Sequence, residues 1–190
     1  ALEAFSTPRK KGVYAIKIDE GDAVISAHSV KQGEQVMLFT QEGMAVRFDE
    51  SEVRQVGRVA RGVRGVRLKN EEDQVVSCEV VIPDDTLFIV CENGYGKRSS
   101  VGSFRQTARG GSGVRSIITS KRNGSVIGAI NIKEHDSVVL MSSSGHTVRF
   151  GMEDLRVMGR STQGVKVVNL SSKETLIAMQ KVEHVEEEKE

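Results

Sequence analysis

The chain has 190 residues, 28% of them charged and only two of them proline, and its formal net charge is +1. That length suits one domain or a short repeat array, and the composition argues against wholesale disorder. No apolar run is long enough to cross a membrane as a helix, and the opening Ala1-Leu2-Glu3-Ala4-Phe5 lacks the basic and apolar stretches of a signal peptide, so a soluble, cytoplasmic protein without membrane contact is expected. The charge is uneven. Residues 183–190 hold five acids and one lysine, which leaves a modestly basic body ahead of an acidic tail able to compete for a basic face.

In chain order, residues 1–33 carry Gly12-Val13 with Ile16 and Ile18, a pattern met again at Gly62-Val63 with Val66 and Leu68. They are expected to be the back half of a truncated unit of a longer array. Val36 to Thr40 is predicted as a strand, Glu42-Gly43 as a turn and Ala45 to Phe48 as the return strand. Further strands are predicted at Val63 to Leu68 and at Val75 to Val81. The pattern restarts at Leu87 to Cys91, turns at Asn93-Gly94 and returns through Lys97-Arg98. Asn-Gly between apolar runs is a strong hairpin signal, with positive φ expected at both residues. The one candidate helix, Met152 to Met158, is too short to anchor a fold.

The restart is a repeat of 51 residues. It links Gly43, Gly94 and Gly145; Arg47, Arg98 and Arg149; Arg54, Arg105 and Arg156; Arg58, Arg109 and Arg160; and Gly62, Gly113 and Gly164. Apolar positions keep the same step, as in Leu38, Ile89 and Leu140. About four strands per unit is the content of a propeller-type blade, and a unit this small must share its core with neighbours. The fold expected is all-β: a propeller-like or pinwheel array of four-stranded blades forming a partial arc. Its divisions are 1–33 (truncated blade), 34–84, 85–135 and 136–182 (blades), and 183–190 (acidic tail).

Basic residues recur with the repeat. If the units surround an axis, equivalent side chains fall along one rim, where guanidinium groups meet phosphates at regular intervals. The candidate DNA contacts are Arg47, Arg58, Arg61, Arg64, Arg67, Lys97, Arg98, Arg109, Arg115, Arg149, Arg160 and Lys166. Gly110, Gly111 and Gly113 join them, since backbone without Cβ admits phosphate to main-chain N–H groups; turn geometry accounts for the same glycines. The structural alternative is that arginines pair with acids such as Glu52 and Asp154 and brace the blades, with Arg54, Arg105 and Arg156 foremost. Scarce aromatics favour duplex over single-stranded nucleic acid, and no helix is placed to read a major groove.

Chemistry-bearing motifs fail. Gly94-Tyr95-Gly96-Lys97-Arg98-Ser99 lacks the first glycine and the hydroxyl position of a phosphate loop, having Cys91 and Arg98 there. The four histidines have no metal spacing, and Cys78 and Cys91, set in apolar runs, read as buried free thiols. No catalytic residue, metal or cofactor is expected.

Val46-Arg47-Phe48, Glu52-Val53-Arg54, Gly57-Arg58 and Gly62 to Leu68 resemble a late blade of the C-terminal domain of the DNA gyrase A subunit. Asn93 to Arg98 resembles the hairpin of the next blade, and Gly159 to Val165 resembles the last blade before an acidic tail. The resemblance implies a β-pinwheel whose four-stranded blades exchange strands and whose basic perimeter wraps duplex DNA. The implied partners are double-stranded DNA, the gyrase B subunit in the holoenzyme, and the remainder of the gyrase A subunit, with the strand-passing tyrosine and ATP hydrolysis lying elsewhere. The family's wrapping box has the form Gln, base, Arg, Gly, Gly, base, Gly. Thr107 to Gly113 keeps Arg109, Gly110, Gly111 and Gly113 of it and lacks the leading Gln and both flanking bases. The alternatives are the C-terminal domain of the topoisomerase IV A subunit, which shares the fold, and a protein-interaction propeller.

Overall fold

The computed structural model describes residues 2–7 and 10–183. Eleven strands carry almost all its regular structure: β1 (Gln35–Thr40), β2 (Met44–Asp49), β3 (Val75–Val81), β4 (Thr86–Cys91), β5 (Tyr95–Ser100), β6 (Val114–Arg115), β7 (Val126–Ile132), β8 (Ser137–Ser142), β9 (Thr147–Gly151), β10 (Val165–Lys166) and β11 (Leu176–Val182). They form three antiparallel sheets in the orders β3-β1-β2-β6, β10-β5-β4-β7 and β11-β8-β9. The short helix considered at 152–158 is absent; those residues form a turn and an isolated bridge.

Each sheet is built on a hairpin closed by three or four residues. Gly43, Gly94 and Gly145 donate their N–H to the carbonyls of Thr40, Cys91 and Ser142 and hold φ of +82°, +78° and +86°. Asn93 does not share the positive φ. The turn is therefore an ordinary one followed by a left-handed glycine rather than the two-residue Asn-Gly turn expected from sequence. The glycine relieves the twist that the preceding turn would otherwise impose on the strands.

The fourth strand of a sheet comes from the next unit. β6 pairs with β2, Val114 opposite Ala45 and Arg115 opposite Met44. β10 pairs with β5 one repeat later, Val165 opposite Gly96 and Lys166 opposite Tyr95. Residues 63–68, expected as a strand within the first full unit, pair with no strand of that unit and have no regular structure. Their equivalents in the next two units are the donated strands β6 and β10.

Cores lie between blades rather than inside them. Leu87, Ile89 and Cys91 on one face of β4 pack with Met37 and Phe39 of the preceding hairpin, while Phe88 and Val90 on the other face pack with Val138 and Leu140 of the following one. That is why β4 is an unbroken apolar run, whereas β8, which packs on one face, buries Val138 and Leu140 and exposes Met141. Burial pushes the Cys78 thiol up to about 11 and that of Cys91 to about 12, leaving both as inert filling. β7 packs against both β3 and β11, and Ser77 Oγ of β3 donates to the Ala129 carbonyl of β7 at 2.6 Å. These strands form the inner side of the arc, and the donated strands β6 and β10 form its outer side.

Candidate nucleic-acid interface

The repeated basic residues divide into those that hold the blades together and those that face solvent. Arg47 is buried: Nε donates to Gln35 Oε1 at 2.7 Å, and Nη1 to the carbonyls of Val101 and Phe104, each at 2.9 Å. Arg98 repeats the arrangement with Thr86 Oγ1 and the Met152 carbonyl. Lys97 is fully buried, with Nζ donating to the carbonyls of Gly159 and Arg160. Arg47, Lys97 and Arg98 are thus removed from the phosphate-contact set. Each spends its donors on the incoming segment of the next unit, and a phosphate cannot reach it without unfolding that joint. Arg54, Arg105 and Arg156, expected as braces, are exposed, and among the described residues no ion pair involves them.

Two of the glycines are also committed. The Gly110 N–H donates to the Gly65 carbonyl at 2.7 Å. A Cβ on Gly113 would lie 2.1 Å from the Ala45 carbonyl oxygen, so this glycine exists to let the donated strand close on its hairpin. Gly111 accepts from the Arg67 N–H at 2.9 Å. Arg109 is half-buried, its Nε donating to the Glu52 carbonyl and its Nη1 to that of Arg64; Arg160 repeats the second bond to Arg115. These two arginines orient the donated segments. Arg58, in the same column, is half-buried beside a cleft lined by Lys11, Tyr14 and Val59.

The solvent-facing set has its own order. Arg64, Arg115 and Lys166 stand one repeat apart, and all three are exposed; Arg115 and Lys166 lie on the outermost strands. Arg67 and Arg149 are exposed as well, and Arg61 is exposed but pairs with Asp19 at 3.2 Å. The sequence reading missed Lys121 and Arg122, both exposed in the turn before β7. Arg122 lies over the Tyr95 ring at 4.8 Å from its centroid and Lys166 at 5.2 Å, so cations from two adjacent units meet at one corner of the second blade. The hydrogen bond from Arg122 holds the Tyr95 phenol below its ordinary value. Among the described residues no group of three acids, histidines or cysteines is placed to hold a metal. The acidic tail, apart from Glu183, which pairs with Lys181 at 3.0 Å, lies outside the described residues. Among the described residues no helix is long and apolar enough to cross a membrane.

A family model described as DNA gyrase C-terminal domain, beta-propeller, matches residues 2–31, 34–82, 85–133 and 136–183. The whole chain is 56% identical to the DNA gyrase A subunit of Chlamydia pneumoniae, and 96% of it is 38% identical to that of Pseudomonas aeruginosa; it spans 23% and 20% of those proteins. The solved C-terminal domain of DNA gyrase A superposes with a TM-score of 0.82 at 34% identity, over 90% of this chain and 58% of that one. The C-terminal domain of DNA topoisomerase IV gives 0.89 at 26%, over 96% and 57%. With the family match spread over all four segments and this identity across the full length, the chain belongs to the DNA gyrase C-terminal domain family of β-propellers.

Proposed function

We propose that this chain is the part of a gyrase A subunit that binds duplex DNA along the outer side of its arc, bending it so that the holoenzyme, formed with the rest of that polypeptide and with gyrase B, introduces negative supercoils at the expense of ATP. The chain itself contributes binding and no chemistry. The observation that carries this reading is the column Arg64, Arg115 and Lys166, exposed and one repeat apart. A regular row of cations on adjacent blades suits the phosphate backbone and asks nothing of base sequence. Higher identity to the gyrase relatives favours gyrase over topoisomerase IV.

The test is the affinity for a long random-sequence duplex across a range of salt concentration. Replacing Arg64, Arg115 and Lys166 together by Ala is expected to flatten the log–log salt dependence by up to about 3 units, because each lost phosphate contact removes about 0.9. The fold should be retained, since none of the three is buried. An unchanged slope would mean that the column does not touch phosphate, and a protein-binding propeller would then be the better reading.

A further inference from the structure

The second sheet has a corner that the first sheet lacks. Lys166, on the strand donated by the next unit, pairs directly across from Tyr95. Its ammonium lies 5.2 Å from the centre of the Tyr95 ring, and the Arg122 guanidinium lies 4.8 Å from it. Lys121 precedes Arg122 in the same turn. All three cations are exposed, and among the described residues no ion pair involves any of them. One repeat earlier, the same four places hold Met44, Arg115, Asn70 and Glu71, a single cation with an acid.

The turn that carries Lys121 and Arg122 is pinned from both sides. Asn123 is fully buried; its Oδ1 accepts from the Ser120 N–H and its Nδ2 donates to the Ile118 carbonyl, each at 2.8 Å. Asn93, in the neighbouring hairpin turn, donates from Nδ2 to the carbonyls of Lys121 and Arg122, each at 3.3 Å, and from its backbone to that of Asn123 at 3.1 Å. Glu92, the acid of that hairpin turn, accepts from the Ser125 N–H at 2.9 Å. The Tyr95 ring is half-buried and joins none of the apolar cores. What it holds is a pair of cations. Like charges brought together repel, and the electron-rich face of the ring offsets this by attracting each of them. A long cationic side chain that is already placed loses less freedom when it meets a phosphate.

We propose that Tyr95 is a positioning residue for DNA: its ring gathers Arg122 and Lys166, with Lys121 beside them, into a fixed clamp on the phosphate backbone at the second sheet. This rests on the reading of the chain as a duplex binder and adds an anchor point to it. The column of Arg64, Arg115 and Lys166 offers one cation per repeat, and at this corner alone Lys166 is joined by two more from a rigid turn. The first sheet, with Glu71 in the equivalent turn, has no such anchor.

Affinity of the chain for a random-sequence duplex against salt concentration tests this. Tyr95→Leu removes the ring and no charge; it should weaken binding about fivefold or more and flatten the log–log slope by about 1. Tyr95→Phe, which keeps the ring, should restore most of the loss. In an Arg122→Ala/Lys166→Ala background, Tyr95→Leu should have no further effect. A second readout is the ring itself. The chain has two tyrosines, so in Tyr14→Phe an isotope label on tyrosine reports Tyr95 alone, and its ring resonances should shift when a short duplex is added. Steep salt-dependent binding that Tyr95→Leu leaves unchanged, with the ring resonances unmoved, overturns the clamp and leaves the duplex-binding reading standing. An equal loss from Tyr95→Leu with and without the two cations also overturns it, since the ring would then serve the fold. Should Tyr95→Leu not fold, the ring resonances decide. A wild-type chain without salt-dependent binding overturns both.

Discussion

Arg47 and Phe104 meet across the joint between two units, the guanidinium Nη1 donating to the Phe104 carbonyl at 2.9 Å. The same nitrogen holds the Val101 carbonyl, so one buried cation secures the turn that delivers the next donated segment. The Phe104 ring is fully buried and packs edge-on against Phe39 at 6.5 Å. The polar bond and the apolar plug act on the same few residues, which makes this joint the place where blades are coupled.

Arg47→Met should accordingly cost stability rather than binding. It leaves the Phe104 carbonyl without its donor, at about 1–3 kcal/mol, while the Val101 carbonyl keeps the Phe104 N–H. Denaturant unfolding should show a loss of about 1–3 kcal/mol, while the salt dependence of DNA binding by the folded variant stays that of the wild type. A reduced salt slope would return Arg47 to the phosphate contacts.

Gly94→Ala and Gly145→Ala separate two costs that coincide at most glycines. Both residues have positive φ, a strain of about 1 kcal/mol or more for alanine. Only Gly94 also faces a carbonyl, that of Val168, at 2.4 Å from its would-be Cβ. Gly94→Ala should be the more destabilising by about 2 kcal/mol or more in thermal unfolding, as an overpacked core is. Equal losses would show that the donated segment can move aside freely.

Lys97 gives the fold a dependence on alkaline pH. Burial lowers its ammonium from 10.5 to about 8, with the charge of Arg160 as a lesser cause. Between these values the unfolded chain binds more protons than the folded one, so this residue's contribution to stability rises with pH from about 8 to 10.5. The neutral amine still has two N–H donors for the carbonyls of Gly159 and Arg160. Measured against Lys97→Met, the wild type should gain stability across that window. A difference that is flat with pH would show that the lysine titrates normally.

Arg122→Ala should act at a single corner. Loss of its hydrogen bond should let the Tyr95 phenol titrate at higher pH, read by ultraviolet titration in a Tyr14→Phe background. The salt slope of DNA binding should fall by about 1. A phenol shift without a change in slope would confine Arg122 to packing on Tyr95.

The repeat, the hairpins and the all-β class were legible because they rest on positions that every unit needs, such as Gly43 and Gly94 at the turns. The role of each arginine was not. Arg47 and Arg64 look alike in sequence, and what distinguishes them is a partner more than fifty residues away: Phe104 buries the first, and nothing covers the second. Arg54 and Arg156 sit close to Glu52 and Asp154 in the chain, which suggested braces, yet the braces come from strand positions where side-chain direction is fixed by the hairpin. Lys121 and Arg122 escaped because the first unit has Asn70 and Glu71 in their place, so a search for repetition passes over them. That residues 63–68 form no strand within their own unit escaped because strand donation leaves no local mark in the sequence.

Exchange of strands also has a consequence during synthesis. A hairpin such as β1–β2 leaves the ribosome with its outer edge unpaired, and the strand that closes it, β6, follows roughly 70 residues later. At typical translation rates of about 5–20 residues per second, each new edge waits several seconds for its cover. Blades are therefore finished in order from the amino end, each sealed by the emergence of its successor, and a ribosome that pauses within a unit prolongs the exposure of the blade before it.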